Sequence, residues 1–390
     1  MKKVLFVLLA FVVLFSFVSC EEEHVHSWGT GETLIEATCT EDGYKVFNCS
    51  CGSIKFEKIN ATGNHDWDEG TVVSPSTCTN YGAKLYTCTC GTQKVEVIDK
   101  KPHGDTKTDN SAVWCSDGKF YEVCSVCNGA KEKESALNKS TVQNLYISDS
   151  VTEIPDSVFI SAGTKTVTIP DSVTKIGEYA FSGCDFLGSI KIPSSVTDIG
   201  SSAFRLCVAL ETVVLPSNLK EISSKLFSSC ENLTSVTIPD SVTSIGDMAF
   251  HYCLKLSSLT IPDTVTSIGS GAFGYCSSLT SINIPSSMEE IGTGAFSDSG
   301  ITSMEIPNTV KTIGESAFYS CENLTTVTIP VSVTTIGDTA FRKCKSLTTI
   351  NYEGTVEEWN SITKGLGWHD EAPATVVTCK GGATVTLPTD

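Results

Sequence analysis

The chain has 390 residues, 40% hydrophobic and 18% charged, the balance of a folded protein rather than a disordered one. Its formal net charge is −18, and its basic stretches are no more than short lysine pairs. Phosphate binding needs clustered Lys or Arg, so this composition argues against nucleic acid and against anionic lipid headgroups as partners.

Residues 1–20 differ from all that follows. MKK is a short positive segment, VLFVLLAFVVLFSFV is an apolar run of 15 residues, and Ser19 and Cys20 close it. The run is short for a membrane span and reads as a secretory signal, which places the rest of the chain outside the cytoplasm. The segment before Cys20 resembles a bacterial lipobox, in which that cysteine is lipidated and becomes the mature N-terminus. Phe17 stands where such motifs usually carry leucine. An ordinary signal peptide cut nearby is the alternative. Glu21–Glu23 resemble the surface-export signal of some Bacteroidetes lipoproteins, or form a plain acidic linker.

Residues 21–140 hold three cysteine-rich modules, at about 24–62, 63–101 and 102–136. HSWGTGETLIEATCTEDGYKVFNCSCG recurs as HDWDEGTVVSPSTCTNYGAKLYTCTCG, with His26 and His65, Cys39 and Cys78, Cys49 and Cys88, and Cys51 and Cys90 each 39 apart. A weaker third copy carries His103, Cys115, Cys124 and Cys127. EDGY and SDGKFY predict hairpin turns, and hence small β units. Three cysteines and one histidine per module fit a closed, structural zinc site. Disulfides are a second reading for an exported chain, with one thiol left over per module unless modules pair, and merely packed thiols are a third. The modules resemble spacer units of bacterial surface proteins, which implies a stalk.

From residue 141 to 352 a second repeat takes over. The prolines Pro170, Pro193, Pro216, Pro239, Pro262, Pro285, Pro307 and Pro330 are 23 apart, save one step of 22. Their phenylalanines, from Phe181 to Phe341, keep the same beat. The pattern is LTSVTIPxSVTxIGxxAFxxCxx. A unit this short cannot bury its own apolar face, so stacked neighbours must share one core. In Leu233–Ile238 the residues alternate, which predicts a short strand ended by proline. Val242, Ile245, Ala249 and Phe250 are spaced three and four apart, as on a turn or short helix behind that strand. Ten strands, from Leu145–Ile147 to Ile350–Tyr352, would make a parallel sheet roughly 43 Å long at about 4.8 Å per strand. Cys184, Cys207, Cys230, Cys253, Cys276, Cys321 and Cys344 share one register and are expected to pack as a buried ladder. The sixth unit, AFSDSGITSMEIP, lacks the cysteine and is one residue shorter, so it is expected to have dropped the packing residue.

These units, IPDSVTSIGDMAF with CxxL, resemble the BspA-like leucine-rich repeats of bacterial surface proteins, over more than half the chain. The resemblance implies a leucine-rich-repeat solenoid, a parallel sheet with turns or short helices on the opposite side. It also implies, for several members, adhesion to host matrix proteins or to other bacteria. Residues 353–390 look like the terminal segment that follows such repeats, with Trp359, Trp368 and ATVVTC expected to cap the open end.

No acid, base or nucleophile recurs in a catalytic setting, so no catalytic residue is assigned. The outward lane of the strands is rich in hydroxyls: Ser235, Thr237, Ser258, Thr260, Ser281, Asn283, Thr326 and Thr328. It offers few aromatic anchors, so it is either a solvated face or a platform for many weak contacts. The expected function is binding at the cell surface, to extracellular or cell-surface proteins including glycoproteins. The membrane enters only through the lipid anchor, and no cofactor is needed. The alternative is a structural stalk without a specific ligand.

Overall fold

The computed structural model describes residues 27–35, 42–49, 54–59, 67–74, 82–88, 93–99, 110–124, 130–134 and 138–388. They fall into two compact units, one made of the described residues up to 134 with Ser148–Ser150, the other of the described residues from 138 to 388 without those three. The apolar leader with Cys20, and His26, Cys39, Cys51, His65, Cys78, Cys90, His103 and Cys127, lie outside the described residues.

In the first unit the 39-residue spacing becomes a repeated three-stranded antiparallel sheet. Glu32–Ile35, Gly43–Asn48 and Ile54–Ile59 build the first, and Thr71–Ser74, Gly82–Thr87 and Gln93–Ile98 the second. Equivalent residues pair alike: Glu32 faces Val46 as Thr71 faces Leu85, with the same irregularity at Thr33/Ile35 and Val72/Ser74. In the third module Ser111–Trp114 and Phe120–Val123 are joined by the hairpin that SDGKFY predicts. Gly118 there has φ +80°, and the Asp117 carboxylate accepts the Lys119 N–H at 3.0 Å.

The second unit is a coil of stacked rungs. The alternating segments form a first column of parallel strands from Asn144–Ile147 through Thr166–Thr168, Ser189–Lys191 and their successors to Thr349–Tyr352, with strand pairing broken after Thr166–Thr168, Ser235–Val236 and Ser281–Ile282. These are the ten strands expected from the repeat, and the tail adds Val376–Thr378 beside Ile350. Register is constant: Thr212 faces Ser235 and Val213 faces Val236. Val236 and Ile238 are 8% and 4% exposed, so the alternation does set inside from outside.

The opposite side is not helical. TxIG forms a second parallel ladder of two-residue strands, Glu153–Ile154, Lys175–Ile176, Asp198–Ile199 and so on to Thr363–Lys364. The AFxxC segments that follow are turns hydrogen-bonded rung to rung, as in Phe250 N–H to Ala272 O at 2.8 Å. Two residues per rung take left-handed backbone, for example Met248 (φ 54°) and Tyr252 (φ 61°), and these turn the chain back toward the strand. A spacing of three and four thus serves two bends rather than a helix.

Two lanes run the length of the interior. Nine phenylalanines, Phe159 to Phe341, stack with ring centroids 5.1 to 5.9 Å apart. Beside them each ladder cysteine donates its S–H to the phenylalanine carbonyl of the preceding rung, at 3.0 to 3.3 Å. The sixth unit corrects the expectation made for it. Ser299 occupies the cysteine place, 3% exposed and 3.4 Å from the Cys321 sulfur, so the packing residue is kept. The missing residue falls after it, where Gly300 N–H bonds to Cys276 O at 3.1 Å.

The recurring glycine answers to close approach. A Cβ on Gly269 would lie 2.4 Å from the Asp247 backbone nitrogen, and one on Gly246 2.6 Å from that of Ser224. Where Ser223 replaces it, the hydroxyl donates to Ile199 O, the role the glycine N–H plays between Gly246 and Ile222 O. The second ladder is interrupted at that rung. It is also interrupted between Ser267–Ile268 and Glu290–Ile291, where Gly292 is retained and nothing in the packing explains the break.

At the far end Thr355 caps the helix Val356–Ser361 through a capping box with Glu358. Trp359 on that helix is 1% exposed. The phenylalanine stack ends edge-on against Trp368, 6.2 Å away, and Trp368 in turn meets Trp359 at 5.8 Å. Thr384–Thr386 pairs antiparallel with Val376–Thr378 on the last parallel strand.

Candidate functional site

The strand face is built as the alternation predicts. Ser235, Thr237, Ser258, Thr260, Ser281 and Asn283 are exposed, while Thr326 and Thr328 are half-buried. The face brings them into adjacent rungs but not into equal roles. Asn283 uses both ends of its amide on the neighbouring strand, accepting the Ile261 N–H at 2.8 Å and donating to Ile261 O at 2.7 Å. It completes the ladder where backbone pairing has shortened. The face also carries Lys191 and exposed Val214, which line a hollow of about 380 Å³ with Ile192, Pro193, Leu215 and Pro216.

Many other hydroxyls of the repeat are structural. In several rungs the serine or threonine before the inward residue donates to the carbonyl one rung back, as in Ser241 to Leu219 O (2.6 Å) and Thr264 to Val242 O (2.8 Å), whereas the equivalent Ser195 and Thr309 hydroxyls make no such bond. The threonine after it does the same from Thr243 to Lys220 O and from Thr266 to Thr243 O, each at 3.2 Å. The hydroxyl richness of the sequence therefore has two sources, the strand face and these rung-to-rung bonds.

The cysteine ladder offers no nucleophile. Burial pushes the thiols of Cys184, Cys230, Cys276 and Cys321 up to about 12. Burial raises Cys207, Cys253 and Cys344 as well. A thiolate is the reactive form, so these sulfurs are packing atoms.

Of the cysteine–histidine sets in the modules, Cys49, Cys88, Cys115 and Cys124 are described, and all four are buried. Single β-bridges join Trp28 to Cys49 and Trp67 to Cys88, so tryptophan and cysteine occupy equivalent places in both modules. Cys115 is disulfide-bonded. Among the described residues no three His, Cys, Asp or Glu side chains group as metal ligands.

One feature of the surface was not anticipated from the repeat. On the turn edge, Met248, Tyr252 and Tyr275 are 38 to 39% exposed and hold left-handed backbone. The rings of Tyr252 and Tyr275 stack at 4.4 Å and 5°, and His251 meets them edge-on at 4.8 and 5.3 Å. Burial lowers the His251 imidazole below its usual range, and the Asp298 carboxylate beside Tyr275 raises that phenol. The signal was available as large residues just before the cysteine, a place other units fill with Gly183, Ser229 or Asp298. His369, by contrast, is buried in the cap and stacked on Trp368 at 4.4 Å.

The family described as BspA type leucine rich repeat region matches residues 132–257 and 243–363, in six copies. No curated protein matches the sequence. Among crystal structures, the chain is similar to a leucine rich cell surface protein from Faecalibacterium prausnitzii (33% identity, 57% of this chain and 63% of that one, TM-score 0.42). It thus spans less than two thirds of that relative. A leucine-rich repeat protein from Eubacterium ventriosum is 22% identical over 80% of this chain and 96% of its own, at a TM-score of 0.42. The pneumococcal vaccine antigen PcpA is 19% identical over 80% of this chain and 82% of its own, at 0.44. No helix among the described residues is long and apolar enough to cross a membrane.

Proposed function

This chain belongs to the BspA-type leucine-rich repeat family, and we propose that it is an exported adhesion protein, lipid-anchored through Cys20 at the bacterial cell surface. The cysteine-rich modules act as its stalk, and the strand face of the repeats is its contact surface. Its partners are extracellular or cell-surface proteins, glycoproteins among them. The observation that carries the reading is the exposed lane of Ser235, Thr237, Ser258, Thr260 and Ser281, repeated at one register over successive rungs. Such a lane supports many weak contacts in parallel rather than one deep anchor.

The test incubates the soluble 21–390 fragment with immobilised matrix proteins and with cells of other bacteria. Saturable binding, lost when Ser235, Thr237, Ser258 and Thr260 are replaced by aspartate, is the expected result. Binding that survives those replacements removes the strand face from the reading, and no binding to any surface assigns the chain a purely structural role. Metal analysis and thiol counting on the same fragment decide between zinc and disulfides in the modules.

A further inference from the structure

We propose a second binding site, on the turn edge rather than the strand face, for a carboxylated saccharide whose ring stacks on Tyr252 in the gap above Ser229. The place before each cysteine forms its own lane. Leu206 N–H to Ser228 O (2.8 Å), Ser229 N–H to His251 O (2.7 Å) and Tyr252 N–H to Gly274 O (2.9 Å) keep its rungs in step. Tyr275 and Tyr252 fill two successive places and stack on each other. The next place holds only the small, half-buried Ser229, and the one beyond holds Leu206, 38% exposed. Leu206 and Tyr252 thus stand two rungs apart, about 10 Å, which leaves one ring's thickness between their surfaces. His251 braces the tyrosine pair from the side, so the stacking face is held in place before anything binds.

Leu206, Met248, Tyr252 and Tyr275 leave apolar surface in water, gathered at neighbouring rungs. Exposed apolar surface gathered in one place marks a contact site rather than packing.

Charge selects the class of ligand. Arg205, next to Leu206, and Lys225, on the turn that carries Ser229, make no ion pair among the described residues. In a chain of net charge −18, two unmatched cations beside an aromatic stack favour an anion, and a guanidinium favours a carboxylate. A peptide strand is disfavoured, because the turn amides are already bonded rung to rung and present no free edge. A pyranose offers a flat C–H face for the phenol ring and a carboxylate for Arg205. Uronate- and sialate-bearing glycans share that chemistry.

The full chain, kept soluble in mild detergent, is titrated with a hyaluronan tetrasaccharide (uronate), 3′-sialyllactose (sialate) and lactose (neutral). Saturable binding of at least one carboxylated probe, with none of lactose, is expected, and the two acidic probes separate the sources. Tyr252→Ala and Arg205→Gln should each weaken it about ten-fold, the loss of one stacking or charged contact. Ser229→Tyr should abolish it by filling the gap, while folding normally, since tyrosine already holds the same backbone at Tyr252 and Tyr275. Ser235→Asp on the strand face should leave it unchanged. The proposal is overturned if neither acidic probe binds at millimolar concentration, if lactose binds equally well, or if Ser229→Tyr binds as the parent does. The strand-face reading survives each of those results, because it is tested by different substitutions.

Discussion

Gly269→Ala tests why the glycine lane exists. The new Cβ would sit 2.4 Å from Asp247 N and 2.6 Å from Gly246 C, both backbone atoms that cannot swing aside. Ordinary contact begins near 3.4 Å, so the rungs must part by about 1 Å at this point. The Gly269 N–H to Ile245 O bond, now 2.8 Å, would then lie beyond hydrogen-bond reach. Leaving a buried backbone pair unmade costs about 1–3 kcal/mol, so a loss of about 2 kcal/mol is expected. Gly269→Ser carries the same Cβ but adds a hydroxyl that can donate to Ile245 O, as Ser223 does to Ile199 O. It should recover about half of the loss. Gly188→Ala is the control, since its Cβ meets nothing within 4 Å, and it should change stability by less than about 0.5 kcal/mol. Urea unfolding followed by circular dichroism ranks the three. If Gly269→Ala melts with the parent, or if Gly269→Ser is the worse of the two, the close-approach argument is wrong.

The remaining expectations are simpler to read out. The seven ladder thiols should stay silent toward an aromatic disulfide reagent at pH 8, because burial holds Cys230 and Cys276 near 12, and should all react in guanidinium; prompt native labelling of Cys253 would contradict their packing role. His251 has a folded pKa below its ordinary 6.5, so the unfolded chain takes up a proton first as the pH falls. Its contribution to stability is whole above 6.5 and is lost as pH falls through the folded value; His251→Gln should flatten that part of the urea-midpoint profile between pH 7 and 5. An unchanged slope would remove His251 as the cause. Trp368→Ala should cost about 3–5 kcal/mol and should strip hydrogen-exchange protection from the last rungs, 326–378, before the middle of the coil. Equal protection throughout would mean that Trp368 closes nothing.

The repeat made most of the coil legible. Proline and phenylalanine at one beat fixed the rung, and the alternation in Leu233–Ile238 fixed its inward face. What stayed hidden were effects between rungs. Ser244–Ile245 is too short to show a period, so its ladder exists only because the rungs on either side hold it. Ser299 looked like a lost cysteine because the deletion beside it shifted attention to length, whereas a hydroxyl and a thiol differ little in size. Asn283 looked like a ligand group, and only the neighbouring strand reveals that its amide is engaged. The tyrosine pair was invisible to a consensus because it departs from the consensus.

The one-residue deletion beside Gly300 carries a further lesson. The unit that lost it keeps its ring stacking on both sides, Phe296 between Phe273 and Phe318, and sets Met304 opposite Val327, although its strand no longer pairs with Ser281–Ile282. Slack in the corner leaves the shared interior untouched. Unequal recombination between near-identical units could therefore lengthen or trim such a protein by whole coils without spoiling what remains. The length of the coil becomes a quantity that selection can adjust separately from the residues on its surface.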